Sequence, residues 1–236
     1  MKRVALVTGG TKGIGAAIVN SLSKSGCFVI ATYNTTEPSC ENENVMFTKL
    51  DITCIESCQK LLAELDDHNM YPNILINNAG IAKDAMFHKM TSDAWKDVIN
   101  VNLLSLFNLT QPIFIRMKEG GFGRIVNISS INANKGQIGQ VNYCAAKAGV
   151  QGFTKALALE GARHGVTVNT ISPGYTETSM VNAMKPEILN KIKLTIPTGR
   201  LAHVDEVAAA VSYLISDLAA YTTAANIEVN GGMYSS

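Results

Sequence analysis

A chain of 236 residues, 47% hydrophobic and 17% charged, can bury a sizeable core, and it shows no linker or low-complexity run, so one α/β domain over 1–236 is expected. A formal net charge of +1 with scattered lysines and arginines excludes the basic face that a nucleic-acid or membrane-surface partner requires. Five cysteines, Cys27, Cys40, Cys54, Cys58 and Cys144, are odd in number and lack histidines at ligand spacing, which points to free thiols in a reducing compartment and to no metal site.

The amino terminus passes from Met1-Lys2-Arg3 into an apolar strand without a long apolar leader, and a cytoplasmic protein is expected. Residues 3–8 read as a short buried strand. Gly9-Gly10-Thr11-Lys12-Gly13-Ile14-Gly15 leads from it into an amphipathic helix over 16–25. Glycines there let the backbone turn tightly and approach a pyrophosphate, whose charge faces the helix amino terminus with its unpaired N–H groups. Residues 28–32 form the second strand, where a dinucleotide-binding fold normally places an acid for a ribose 2′-hydroxyl. This strand ends Thr32-Tyr33-Asn34, with no acid, and Lys12 offers a cation to a 2′-phosphate instead. Charge complementarity therefore favours NADPH.

The polar connection 33–44, with Pro38 in its middle, has no helical period, so one covering helix of a doubly wound sheet is expected to be missing. A strand over 45–49 ends in Asp51-Ile52, a helix follows over 53–69, and a fourth strand over 74–76 ends in Asn77-Asn78-Ala79-Gly80, small residues across which a ligand can lie. Residues 91–118 are a long apolar-periodic helix interrupted near Asn100-Val101-Asn102. An asparagine inside a helix competes for backbone bonds, so Asn102 is a candidate for holding a kink and a water. After the strand 124–128 come Ser130, a helix over 141–164, a strand over 167–172 stopped by Pro173-Gly174, a polar segment 175–195 placed to be a mobile lid, a helix over 203–216 and a strand over 226–229. This alternation predicts a mostly parallel sheet with helices on both faces.

The stretch 130–147, SINANKGQIGQVNYCAAK, concentrates the chemistry. Tyr143 and Lys147 stand four apart, so on a helix they share a face, and an ammonium beside a phenol lowers the cost of ionising it. A phenol titrates near 10, and bringing it to neutral pH needs a shift of roughly 3 units, about 4 kcal/mol, from a partly desolvated cation and a second positive charge such as oxidised nicotinamide. The Ser130 hydroxyl can hydrogen-bond the carbonyl that Tyr143 protonates.

With T-G-x-x-x-G-x-G, Asn77-Asn78-Ala79-Gly80, Asn102, Ser130, Tyr143, Lys147 and Pro173-Gly174 in this order, nearly the whole chain resembles the short-chain dehydrogenase/reductase family; each motif is weak singly and their joint occurrence is specific. The resemblance implies a single Rossmann-type domain with about seven strands, usually in a tetramer built on the long helices around Asn102 and Lys147. It implies Tyr143 as proton donor and acceptor, Lys147 on the nicotinamide ribose and beside the phenol, Ser130 orienting the carbonyl, and Asn102 anchoring a relay water. Gly9 to Gly15 would cradle the pyrophosphate. Asn34, Asp51 and Ile52 would flank adenosine, and Asn78, Ala79 and Gly80 the ribose and nicotinamide side. Thr176 and Thr178, after Pro173-Gly174, would meet the carboxamide.

Within the family, the run 135–143 is similar to acetoacetyl-coenzyme A reductases, which implies Gln137, Gln140 and Tyr175 on the acetoacetyl group, with Asp84 and Lys185 at the mouth. The ending Val229-Asn230-Gly231-Gly232-Met233-Tyr234 looks like that of 3-oxoacyl-carrier-protein reductases. Those enzymes present basic residues, before the Ser130 strand and after the Lys147 helix, to an acidic carrier; here the positions hold Gly121 and His164, which favours the coenzyme A ester. A regulator that binds dinucleotide without turnover is the alternative of another class.

Overall fold

The computed structural model describes residues 3–35, 37, 38, 42–178, 181 and 185–235. Seven strands form one parallel sheet in the order β3-β2-β1-β4-β5-β6-β7: β1 Val4–Val7, β2 Phe28–Tyr33, β3 Val45–Lys49, β4 Ile74–Asn77, β5 Gly123–Ile128, β6 Val166–Pro173 and β7 Asn226–Val229. The central strands read as unbroken apolar runs because both of their faces are covered. Ala5, Val7 and Ile76 meet α1 (Gly13–Lys24) through Ile18 and Leu22, with Val207, Val211 and Leu214 of the helix Val204–Ile215 on the same face. Leu6, Leu75 and Ile125 point the other way, toward Leu61 and Leu65 of α2 (Ile55–Asp67), Leu109 and Ile113 of α4 (Leu106–Gly120) and Ala158 of α6 (Val141–Gly161).

Strand order reverses at β1, which lies between β2 and β4, so the carboxyl ends of these strands open the crevice in which open α/β sheets bind ligands. Among the described residues of the 33–44 connection there is no helix. Ser92–Gly120 is long and apolar enough, by length and composition, to cross a membrane, but one face of it packs against the core of this fold, with Val98, Leu109, Ile113, Phe114 and Met117 buried.

Local departures from the sequence reading have physical causes. Helix α1 begins at Gly13 rather than at 16, so the last glycines of the turn form its first turn and their N–H groups face the crevice. The interruption in the long helix is a π turn over Asn100–Leu104, between α3 (Ser92–Ile99) and α4, in which the Ser105 N–H donates five residues back to the Asn100 carbonyl at 2.9 Å. A four-residue helix, α5 (Asn132–Lys135), stands where a loop is expected between Ser130 and Tyr143. Half of the segment read as a lid is the helix Pro186–Thr195, while 179, 180 and 182–184 lie outside the described residues.

Candidate active site

A crevice of about 410 Å³ runs along the carboxyl ends of β1, β2 and β4. Gly9, Thr11, Lys12, Gly13, Ile14 and Gly15 form its floor, Asn34, Asp51 and Ile52 one end, and Asn78, Ala79 and Gly80 the other. The glycines are required. Gly9 and Gly13 have φ of +64° and +53°, and a Cβ on Gly15 would stand 2.1 Å from the Gly9 carbonyl oxygen. Lys12, the N-cap of α1, makes no side-chain cap bond, and the first turn carries no acid, so the positive helix end is left facing the crevice. This cradle fits a dinucleotide pyrophosphate. Thr178 crosses to the same wall, with its Cγ2 3.3 Å from where a Cβ on Gly13 would be.

Thr176 is turned inward. It is buried, its hydroxyl donates to the Gly174 carbonyl at 3.1 Å, and it bridges to Ala202. Pro173 and Gly174 are held in the sheet end, the Pro173 carbonyl accepting from the Ile131 N–H at 3.0 Å and the Gly174 N–H donating to Val229 at 2.8 Å. The Asn78 amide is used within the protein, donating to the carbonyls of Thr8 and Gly9 at 2.9 and 3.1 Å, so it braces the glycine turn that it was expected to complement as a ligand contact. Tyr33, Thr35 and Thr53 also line the crevice. They carried no sequence signal, because register alone brings the end of β2 beside the end of β3.

At the Gly80 end the crevice meets Ser130, Tyr143 and Lys147. The buried Ser130 hydroxyl accepts from the Asn132 N–H at 3.1 Å and is hydrogen-bonded to the Tyr143 phenol. Lys147 is 4% exposed, its Nζ donates to the Ile128 carbonyl at 2.7 Å, and it lies 5.8 Å from the centre of the Tyr143 ring. Burial alone holds the ammonium down to about 8. Burial also dominates at Tyr143: it raises the phenol above its usual value, and the Ser130 bond only partly opposes it. The expected depression by Lys147 is therefore not what the protein alone produces, because desolvation of the phenolate outweighs an ammonium turned toward a main-chain carbonyl. A raised pKa keeps the phenol protonated at neutral pH, the form that donates a proton to a ketone.

Asn102, 2% exposed within the π turn, accepts from the Ile81 N–H at 2.9 Å and donates to the Ile81 carbonyl at 2.7 Å. It fastens the 78–81 loop as an adjacent strand would, and a Cβ on Gly80 would fall 2.6 Å from its Oδ1. Ser129 donates to the Lys147 carbonyl at 2.9 Å, pinning α6 to the end of β5. Asn142, fully buried, donates to the Lys83 and Ala94 carbonyls at 3.1 and 3.2 Å and accepts from the Tyr143 N–H at 2.8 Å. Sequence reading missed Ser129 and Asn142, although the argument applied to Asn102, an asparagine within a helix, also applies to Asn142.

The residues expected at the substrate mouth are partly bonded to each other. Asp84 accepts from the Gln140 Nε2 at 2.8 Å, and Gln140 accepts from the Asn132 amide at 2.9 Å. The Asp84 charge also raises Tyr143 and Tyr175, after burial in each case, which places the carboxylate near both phenols. The Gln137 Oε1 accepts from Lys135 at 2.9 Å. Lys185 stands exposed as the N-cap of Pro186–Thr195, and among the described residues no hydrogen bond or ion pair joins it to the other mouth residues. Burial lifts the Cys58 thiol to about 11 and the Cys144 thiol above its ordinary value, which disfavours thiolate chemistry at either.

A sheet with this switch point, a glycine cradle and a Ser-Tyr-Lys cluster at its end defines a dinucleotide-dependent oxidoreductase. The family model described as short chain dehydrogenase matches residues 3–188, and the chain belongs to that family. It is 50% identical to an acetoacetyl-CoA reductase of Shinella zoogloeoides, over 99% of each chain. It is 41% identical to a 3-oxoacyl-[acyl-carrier-protein] reductase of Haemophilus influenzae, over 98% of each. In structure it is similar to a putative gluconate dehydrogenase from Agrobacterium tumefaciens, with a TM-score of 0.93 at 30% identity, covering 98% of this chain and 95% of that one. The protein is an oxidoreductase acting on a CH–OH group with a nicotinamide dinucleotide cofactor.

Proposed function

We propose that this enzyme uses NADPH to reduce the ketone of a short 3-ketoacyl thioester, with acetoacetyl-coenzyme A giving 3-hydroxybutyryl-coenzyme A. The observation that carries the reading is the convergence of Ser130, Tyr143 and Lys147 at one end of the glycine-lined crevice, in a chain half identical to an acetoacetyl-CoA reductase. Bound NADPH supplies a hydride. With one Ser130 lone pair held by the Asn132 N–H, the hydroxyl is oriented to bond the substrate carbonyl, and Tyr143 gives its proton to the forming alkoxide. Lys147 binds the ribose hydroxyls and favours the phenolate left behind, while Asn102 holds the loop that shapes the nicotinamide end. Exposed Leu104, Phe107 and Ile115 on the outer side of the π turn and α4, with Leu159 on α6, support pairing of these helices between copies in a homotetramer.

A carrier-protein thioester is the second reading, favoured by the Haemophilus influenzae relative. Against it, position 121 is a left-handed helix end with φ of +69°, which suits glycine and offers no cation to an acidic carrier. Measuring NADPH oxidation with acetoacetyl-coenzyme A beside an acetoacetyl carrier protein tests the choice; kcat/KM higher for the carrier protein reverses it, and no oxidation with either rejects the thioester.

Two substitutions test the binding assignments. Lys12→Ala should weaken NADPH by about 1–3 kcal/mol and leave NADH nearly unchanged, because a charge-assisted bond to a 2′-phosphate exists only with NADPH. Titration showing equal losses would mean that Lys12 supports the turn. Gln137→Ala should raise KM for acetoacetyl-coenzyme A roughly three- to tenfold at constant NADPH affinity, since the amide would be exchanged from Lys135 to the thioester. Unaltered kinetics on both a four-carbon and an eight-carbon ketoacyl thioester would make Gln137 a loop brace.

A further inference from the structure

On β7, well outside the Ser-Tyr-Lys cluster, the half-buried Glu228 is surrounded by amides. Its Oε1 accepts from the Asn134 Nδ2 at 2.6 Å and from the Asn226 Nδ2 at 2.7 Å, and its Oε2 accepts from the Asn230 Nδ2 at 3.0 Å. Among the described residues no cation pairs with it. Burying a carboxylate is costly, so a site that satisfies one wholly with neutral donors uses it as an acceptor for several groups at once.

Two donors, Asn226 and Asn230, flank Glu228 on β7 and just after it, and the third comes from the short helix beside Ser130. Asn134 lies in α5, 94 residues away in sequence; the same short helix carries Asn132, whose N–H holds Ser130 and whose amide leads through Gln140 to Asp84. Asn226 accepts from the Ser172 hydroxyl at 2.7 Å, and Ser172 in turn bonds Gln151 of α6, the helix of Tyr143 and Lys147. Asn230 begins the turn packed on Gly174, where a Cβ would come 2.9 Å from the Asn230 Cα. A four-residue helix has too few internal hydrogen bonds to hold its own position, so its placement depends on such tethers.

We propose that Glu228 is a positioning residue for ketone reduction: its carboxylate clamps α5 to the end of the sheet and thereby fixes the Asn132 N–H that orients Ser130 against the Tyr143–Lys147 helix. The proposal rests on the ketoreductase reading, in which Ser130 orients the substrate carbonyl.

The test compares Asn134→Ala, Glu228→Ala and Glu228→Gln in the full chain. Hydrogen exchange at the amides of residues 131–135 reads the clamp without turnover, and kcat, KM and NADPH affinity read its use. Asn134→Ala and Glu228→Ala should speed that exchange about tenfold and lower kcat about tenfold, with the NADPH dissociation constant within about twofold. Glu228→Gln should restore both values, because one amide oxygen suffices for Asn134 and Asn226. Asn134→Ala removes only the α5 arm, and so decides the matter even if Glu228→Ala fails to fold. Wild-type exchange in Asn134→Ala overturns the clamp. Faster exchange with unchanged kcat, or with NADPH affinity falling in step with kcat, overturns its role in orienting the ketone. A wild-type enzyme that reduces no ketoacyl thioester would instead overturn the substrate reading, and with it the catalytic use of a clamp that exchange still detects.

Discussion

Tyr143→Phe should lower ketone reduction by about 10²–10⁴-fold while NADPH binds within a few-fold of wild type, since the substitution removes the proton donor and leaves the ring in place. The fold should tolerate it. The lost hydroxyl bonds Ser130, which keeps its second bond from the Asn132 N–H, so the stability change should stay near about 1 kcal/mol. Single-turnover measurement with saturating NADPH and acetoacetyl-coenzyme A isolates the chemical step. A variant retaining most of its turnover would reject Tyr143 as the donor and would make Ser130 the next group to test.

Lys147→Met should lose both functions assigned to the ammonium, with turnover falling by about 10²-fold or more and NADPH affinity by about tenfold. Its stability should respond to pH in a defined sense. The folded ammonium titrates at about 8, below the usual value near 10.4 for a free lysine. Below pH 8 both folded and unfolded chains carry the proton, and the fold bears the full desolvation cost. Between about pH 8 and 10.4 the unfolded chain binds more protons, so this group makes the wild type more stable as pH rises. Relative to Lys147→Met, the cofactor-free wild type should therefore gain about 2 kcal/mol in unfolding free energy between pH 7 and 9.5. Denaturant titrations showing a constant difference would reject a folded pKa lowered by burial of Lys147. Wild-type kcat/KM for NADPH should fall above about pH 8 as the ammonium is lost, and a flat profile to pH 10 would separate Lys147 from cofactor binding.

Much of this was legible in the chain because it depends on near neighbours. Apolar runs of strand length, alternating with helical periods, specify a parallel sheet covered on both faces, and the glycines at 9, 13 and 15 specify the turn into α1. The four-residue spacing of Tyr143 and Lys147 puts both on one face of α6, and Asn102 marks a true helix defect, although that defect is a π turn whose asparagine is spent on Ile81. Other features arise only once distant segments meet. Asn142 joins α6 to the 83–94 segment, Asn132 links Ser130 through Gln140 to Asp84, and Glu228 ties α5 to β7. No periodicity encodes such bonds, since a polar side chain reads alike in sequence whether it faces water or a buried partner dozens of residues away. The phenol's pKa shows the same division. Spacing places a cation within reach of Tyr143, but the direction of the shift is decided by how much water the folded chain removes and by the Ile128 carbonyl toward which Lys147 turns, and both exist only in the assembled tertiary structure.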